Sequence, residues 1–141
     1  MLTTNFKNKL LRAICGKESF TNSIYAALSS TDPATAVTEP TATSYKRAAI
    51  CQYGSNGKNL MGTPTDGAVE NTETIYFPEA TEAWGAVSYV ALYTALTDGD
   101  LIGYAHIVND SGADTTLTVA AQTVPLIRAG KFKLAFVEAA E

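Results

Sequence analysis

The chain carries one histidine, His106, so a Ser–His or Cys–His relay would have to be built on that residue. It falls in the run Leu101–Val108, where successive side chains alternate faces. There it shares a side with Ile102 and Tyr104 and opposes Leu101, Gly103, Ala105 and Ile107. A lone histidine in such a strand reads as a packing or hydrogen-bonding residue, with a base or pH-responsive group as the alternative. Glu79 and Glu82 flank Thr81 just before Trp84. Paired carboxylates beside an indole are what a glycosidase would use on a stacked sugar. Here they sit in a turn, where carboxylates are simply solvated. Asp98 with Asp100, and Asp110 with Asp114, offer oxygens to a calcium ion, but the EF-hand pattern is absent and turn chemistry accounts for all four. The glycines of Gly54-Ser55-Asn56-Gly57-Lys58 miss the spacing of a phosphate loop, and no helix follows them. Tyr45-Lys46-Arg47 is too short a basic patch to mark a nucleic-acid site. Cys15 and Cys51 are too few for a four-ligand zinc site and read as small buried hydrophobes. The expectation is a chain with no catalytic residue, no cofactor and no metal.

The elements that carry these residues begin with a helix. Leu2, Phe6, Leu10, Leu11 and Ile14 form one apolar stripe, Thr3 or Thr4 can cap its start, and Gly16 can end it. Lys7, Lys9 and Arg12 lie off the stripe. Residues 1–17 carry four positive charges and no acid, which leaves −8 on the remaining 124 residues of a chain whose net charge is −4. Arg12 interrupts what would be the apolar core of a signal peptide, and it occupies a position before Cys15 that a lipobox needs apolar, so the helix is expected to be retained. Phe6, Lys7, Lys9, Leu10, Arg12 and Ile14 become the candidate interface, a docking arm over residues 1–17 whose basic face meets an acidic neighbour. Without the arm, residues 18–141 are expected to stand as one β-domain.

From Ser23 the helical period is lost. All seven tyrosines and most of the threonines follow, and both types favour pleated structure. Strands are expected around Ile24–Leu28, Tyr45–Tyr53, Glu70–Phe77, Trp84–Leu96, Leu101–Val108, Thr115–Ala120, Val124–Ile127 and Lys131–Val137. Polar loops lie between them at 29–44 and 54–67. Asp98-Gly99 between two apolar runs is the strongest hairpin signal. In the last strand Phe132, Leu134 and Phe136 alternate with Lys131, Lys133 and Ala135, which predicts one buried face. Turns every 8–12 residues point to an antiparallel β-sandwich, jelly-roll-like, with one N-terminal amphipathic helix.

A chain of 141 residues is one domain's worth, and 46% apolar with 17% charged composition is that of a folded chain. No apolar run reaches the roughly 18–20 residues of a membrane span. A net charge of −4 disfavours nucleic acid. No membrane or nucleic-acid partner is therefore expected.

The order of the pieces carries more than any one of them. Ile24-Tyr25-Ala26-Ala27-Leu28-Ser29-Ser30-Thr31-Asp32-Pro33 is followed by Thr38-Glu39-Pro40 and Ser44-Tyr45-Lys46-Arg47-Ala48. Then come Ile75-Tyr76-Phe77-Pro78-Glu79-Ala80-Thr81-Glu82-Ala83-Trp84-Gly85 and finally Ala129-Gly130-Lys131-Phe132-Lys133-Leu134. In this order the chain resembles a family of small tailed-phage virion proteins whose members carry head-decoration or tail-fibre labels. The resemblance implies a β-sandwich subunit of a virion assembled in the bacterial cytoplasm. Its partners would be copies of itself, a trimer above all, and the major capsid protein or other virion proteins. Head decoration or a head fibre is the first expectation; a tail, collar or fibre-tip protein touching a host receptor or glycan is the second. Thr41-Ala42-Thr43-Ser44 and Val124-Pro125-Leu126-Ile127 depart from the family pattern and reshape surface loops. Phe77, Pro78, Trp84, Phe132 and Leu134 are the structural candidates, with an interface anchor as the alternative for Trp84. Arg47 is expected to bridge loop carbonyls or an acid, with ligand binding as its alternative.

Overall fold

The computed structural model describes residues 1–54 and 57–136. Its first element, α1 (Thr4–Ile14), is set at both ends by local chemistry. Thr3 is the N-cap, its Oγ1 accepting from Phe6 N at 3.3 Å. Gly16, at φ +69°, closes the other end: its N–H donates to Ala13 O, and Lys17 N–H to Arg12 O. That pair of bonds is the Schellman arrangement, which needs a left-handed residue where Gly16 stands.

The main sheet has the antiparallel order β2-β1-β6-β7, built from β1 (Ile24–Ser29), β2 (Ala48–Cys51), β6 (Tyr89–Tyr93) and β7 (Leu101–His106). Ala26 to Ser29 are buried on both faces because β1 is an interior strand. The β6–β7 hairpin turns through Asp98 and Gly99, both at positive φ (53° and 78°). The Asp-Gly signal forecast that geometry. The free edge of β7 is covered by the chain's first residues. Leu2 bridges Gly103, Thr3 N–H donates to Ile102 O, and Tyr104 N–H donates to Met1 O. A side chain at Gly103 would come within 2.6 Å of Met1 O, so only glycine admits this approach.

Three two-stranded ladders complete the fold: β3 (Ala68–Glu70) with β10 (Lys133–Ala135), β4 (Ile75–Tyr76) with β9 (Leu126–Ile127), and β5 (Gly85–Val87) with β8 (Leu117–Val119). One core joins them to the main sheet. It holds Phe6, Leu28, Ile50, Leu60, Ile75, Phe77, Trp84, Val87, Leu92, Ile102 and Val119.

The chain is thus mainly β and antiparallel with one N-terminal helix, but its sheets are small and unclosed, and no jelly-roll closure is seen among the described residues. Every expected strand after the first is also shorter or broken, and three of the breaks have a plain local cause. Trp84–Leu96 divides at Ser88, whose backbone bonds to Ser29 and Ile107, so β5 and β6 join different sheets. Glu70–Phe77 is interrupted at Asn71, a buried side chain that donates to Glu73 O and Arg128 O and accepts from Phe132 N. Tyr45–Tyr53 is strand only from Ala48, since Tyr45 and Arg47 are held by side-chain bonds. In the last strand Phe132 and Leu134 are half-buried but Phe136 is exposed, and Val137 lies outside the described residues.

Candidate interaction surface

Two of the residues with chemistry to offer, His106 and Glu82, are held by contacts within the chain. His106 lies against the Tyr89 ring (centroids 4.4 Å apart), with Nδ1 2.9 Å from Ile107 O and 4.0 Å from Asp114. Glu82 accepts from Thr43 Oγ1 and from Thr43 and Ser44 N–H. Those bonds, the hydroxyl's first, hold its carboxyl below the ordinary range. Glu79 is exposed and takes no part in that cap. No group of three or more metal-ligating side chains occurs among the described residues.

The densest polar cluster is the one around Arg47, whose side chain is 7% exposed. Its guanidinium grips Glu39 with two bonds (Nε to Oε1 3.0 Å, Nη2 to Oε2 2.8 Å). Nη1 donates to Ala95 O and Asp98 O, at 2.9 and 2.7 Å, and the plane lies 3.7 Å from the Tyr93 ring centre. This fork geometry is what lysine could not supply. Tyr45 Oη donates to Glu39 and accepts from Leu28 N–H. Burial would raise the Glu39 carboxyl, but the bonds from Arg47 and Tyr45 and the arginine's charge outweigh it and hold the group low. Burial, with the bond to Glu39, pushes the Tyr45 hydroxyl up. The cluster ties the 29–44 loop and the β6–β7 turn to β1. Trp84 stands beside it, edge-on to Tyr45 at 5.2 Å and donating its indole N–H to Ser44 Oγ at 2.9 Å. Phe77 is buried, and Pro78 half-buried, where β4 ends.

The N-terminal candidates divide. Phe6 is buried in the core and edge-on to Phe20 at 5.9 Å, so it faces inward and is not part of an exposed interface. Lys9 and Leu10 are half-buried. Lys7 is exposed, Arg12 is exposed and pairs with Glu18 at 2.7 Å, and Ile14 is 73% exposed with Leu11 one turn before it. The amphipathic stripe is therefore spent only in its first half. Leu11, which sequence reasoning counted as stripe but not as interface, belongs with Ile14.

A second apolar exposure lies on the β4–β9 ladder. Tyr76 and Leu126 are register partners and both point outward, while their neighbours Ile75 and Ile127 turn in. Pro125 is buried between Leu126 and Val124, which puts Val124 on the same outer side. Val124 and Leu117 line one groove of about 180 Å³ with Thr118, Val119, Thr123 and Pro125. The apolar run Val124-Pro125-Leu126-Ile127 was the available sequence signal, and it does not say which side chains face out. The pairing with Tyr76, fifty residues away, was not.

Residues 1–127 match the family described as podophage GP4 fiber I protein gp80. The chain belongs to this family. Membership places it among virion components, as the order of its motifs implied, and no helix among the described residues is long and apolar enough to cross a membrane. The gp80 match takes in α1, the Arg47 cluster and the β4–β9 ladder, and stops just before the turn that leads to β10. No curated protein matches the chain.

Proposed function

We propose that this gp80-family chain is a non-enzymatic subunit of a fibre on a tailed-phage particle, acting by repeated protein–protein contacts through its N-terminal helix. The observation that carries the reading is the half-spent stripe of α1. Leu11 and Ile14 stand in solvent on a helix whose charges are all positive, in a chain that is otherwise acidic. Single contacts of this size are weak, and a particle strengthens them by multivalency. Copies of the chain, three by the resemblance, and the major capsid protein or other virion proteins are the proposed partners. The family's fibre description supports the fibre reading, with a capsid-lattice decoration as its alternative.

Electron cryo-microscopy of the particle that carries the chain tests this. Density in projecting fibres is the expected result. Density lying flat at the symmetry axes of the capsid lattice would make the chain a decoration protein instead.

A receptor or glycan contact is the second reading. Tyr53 favours it, 69% exposed beside an open groove lined by Asn22, Gln52 and Asn59. Tyr89 lies tilted against His106 and Tyr93 under Arg47, so both rings are already engaged within the chain. No binding on a glycan array would remove this reading.

A further inference from the structure

We infer that the partner of α1 is a second copy of this chain, and that the helix seats on the outer face of the β4–β9 ladder and the adjoining β8 groove. The inference rests on the reading of α1 as the docking element and adds its receptor.

Two surfaces of the molecule are complementary in both shape class and charge. The helix offers Leu11 and Ile14 one turn apart, with Lys7 on the helix and Lys17 just past its end as the unpaired positive charges and Arg12 paired with Glu18. The ladder offers Tyr76 and Leu126, and beside Leu126 along the chain Val124 and, from β8, Leu117 line a groove of about 180 Å³. Its flanking charges are Glu73 and Glu79, Glu82 being taken up by Thr43 and Ser44, with no basic residue from 72 to 83 and no charge of either sign from 115 to 127. Arg128 follows at the far end. Exposed apolar residues grouped in this way mark interaction sites more often than isolated ones do. A contact between two different patches of one protein is heterologous. It either closes into a ring or runs on as a filament, and both forms suit a fibre.

Sedimentation velocity on the full chain tests this with two double variants. Leu11→Glu with Ile14→Glu spoils only the helix side. Val124→Glu with Leu126→Glu spoils only the ladder side. All four positions are exposed, so circular dichroism and melting midpoints should stay at the parent values. Each variant alone should lose self-association by at least about tenfold, the scale of a central apolar anchor. Mixed together, each still has one intact surface, so the pair should form a two-subunit species that cannot extend. Association of the parent chain should weaken as salt rises from about 0.05 to 0.5 M.

A ladder variant that associates like the parent, or a mixture that stays monomeric, would overturn the inference. If the helix variant also fails to enter particles while the ladder variant enters normally, the docking role of α1 stands and its receptor is another virion protein. Normal entry of the helix variant into particles would sink the docking reading itself.

Discussion

Around Arg47 each side-chain nitrogen of the buried guanidinium has a partner, whereas across β4, β8 and β9 the chain leaves large apolar side chains in water. In the first region the bidentate Glu39 pair, two loop carbonyls and the Tyr93 face surround one guanidinium. In the second, Tyr76 is 60% exposed on a ladder only two residues long. A network of the first kind holds loops in one place and offers nothing to a partner. A surface of the second kind adds little to stability and is free to be covered. Interaction and stability are thus assigned to different residues, and substitutions should separate them.

The largest effect belongs to the first region. Trp84→Ala removes a buried indole that contacts Tyr45 and Ser44, and should lower unfolding free energy by about 3–5 kcal/mol in a urea titration. Arg47→Met should come close behind, at about 3 kcal/mol by the same titration. It strands the Glu39 carboxylate, and the loss falls at the low end for a buried pair because Glu39 keeps 26% exposure. A loss under about 1 kcal/mol would mean the cluster positions loops without supporting the fold.

Acid sharpens the same point. Folded Glu39 titrates below its ordinary 4.5, so its contribution is present above that pH and fades as pH falls through 4.5 toward the folded value. Melting curves at descending pH should show the parent chain converging on Glu39→Gln. A constant gap between the two would contradict the assignment. Gly99→Ala comes next. It forces an L side chain to φ +78° with its Cβ 2.9 Å from Ala95 Cβ, and should lose about 1–2 kcal/mol in thermal unfolding. The smallest change is expected in the second region. Leu126→Ser on the exposed ladder should shift stability by no more than about 0.5 kcal/mol. A larger shift would place Leu126 in the core and erase the contrast.

Periodicity makes α1 and its caps legible in the sequence, and Asp98-Gly99 marks the hairpin. These are local signals, decided by backbone preference within a few residues. Glu39 and Arg47 were visible as parts of a motif order. Their pairing was not, because seven residues separate them and nothing in the local pattern says that the loop folds back. Asn71 was missed for a related reason. An asparagine between two β-prone runs reads as neutral, and its value lies in three backbone partners that include Arg128 and Phe132. The sandwich expectation failed to specify closure because turn spacing counts strands without saying how they pair. Here most pairs outside the main sheet are two or three residues long. Phe6 was assigned to an interface since a stripe shows that one face is apolar but not how far along it the body extends.

Truncating residues 1–17 therefore does more than remove an arm, because Phe6 leaves the core and the edge of β7 is laid bare. That edge has a history in time as well as in space. Met1 donates to Tyr104 O across 103 positions of sequence. On the ribosome, at about 5–20 residues per second, residues 1–3 wait roughly 5–20 s for the strand they will cover. Throughout that interval the helix is displayed before its own sheet exists, and an unpartnered β7 edge, once made, is a template for any passing strand until the chain's own beginning returns to it.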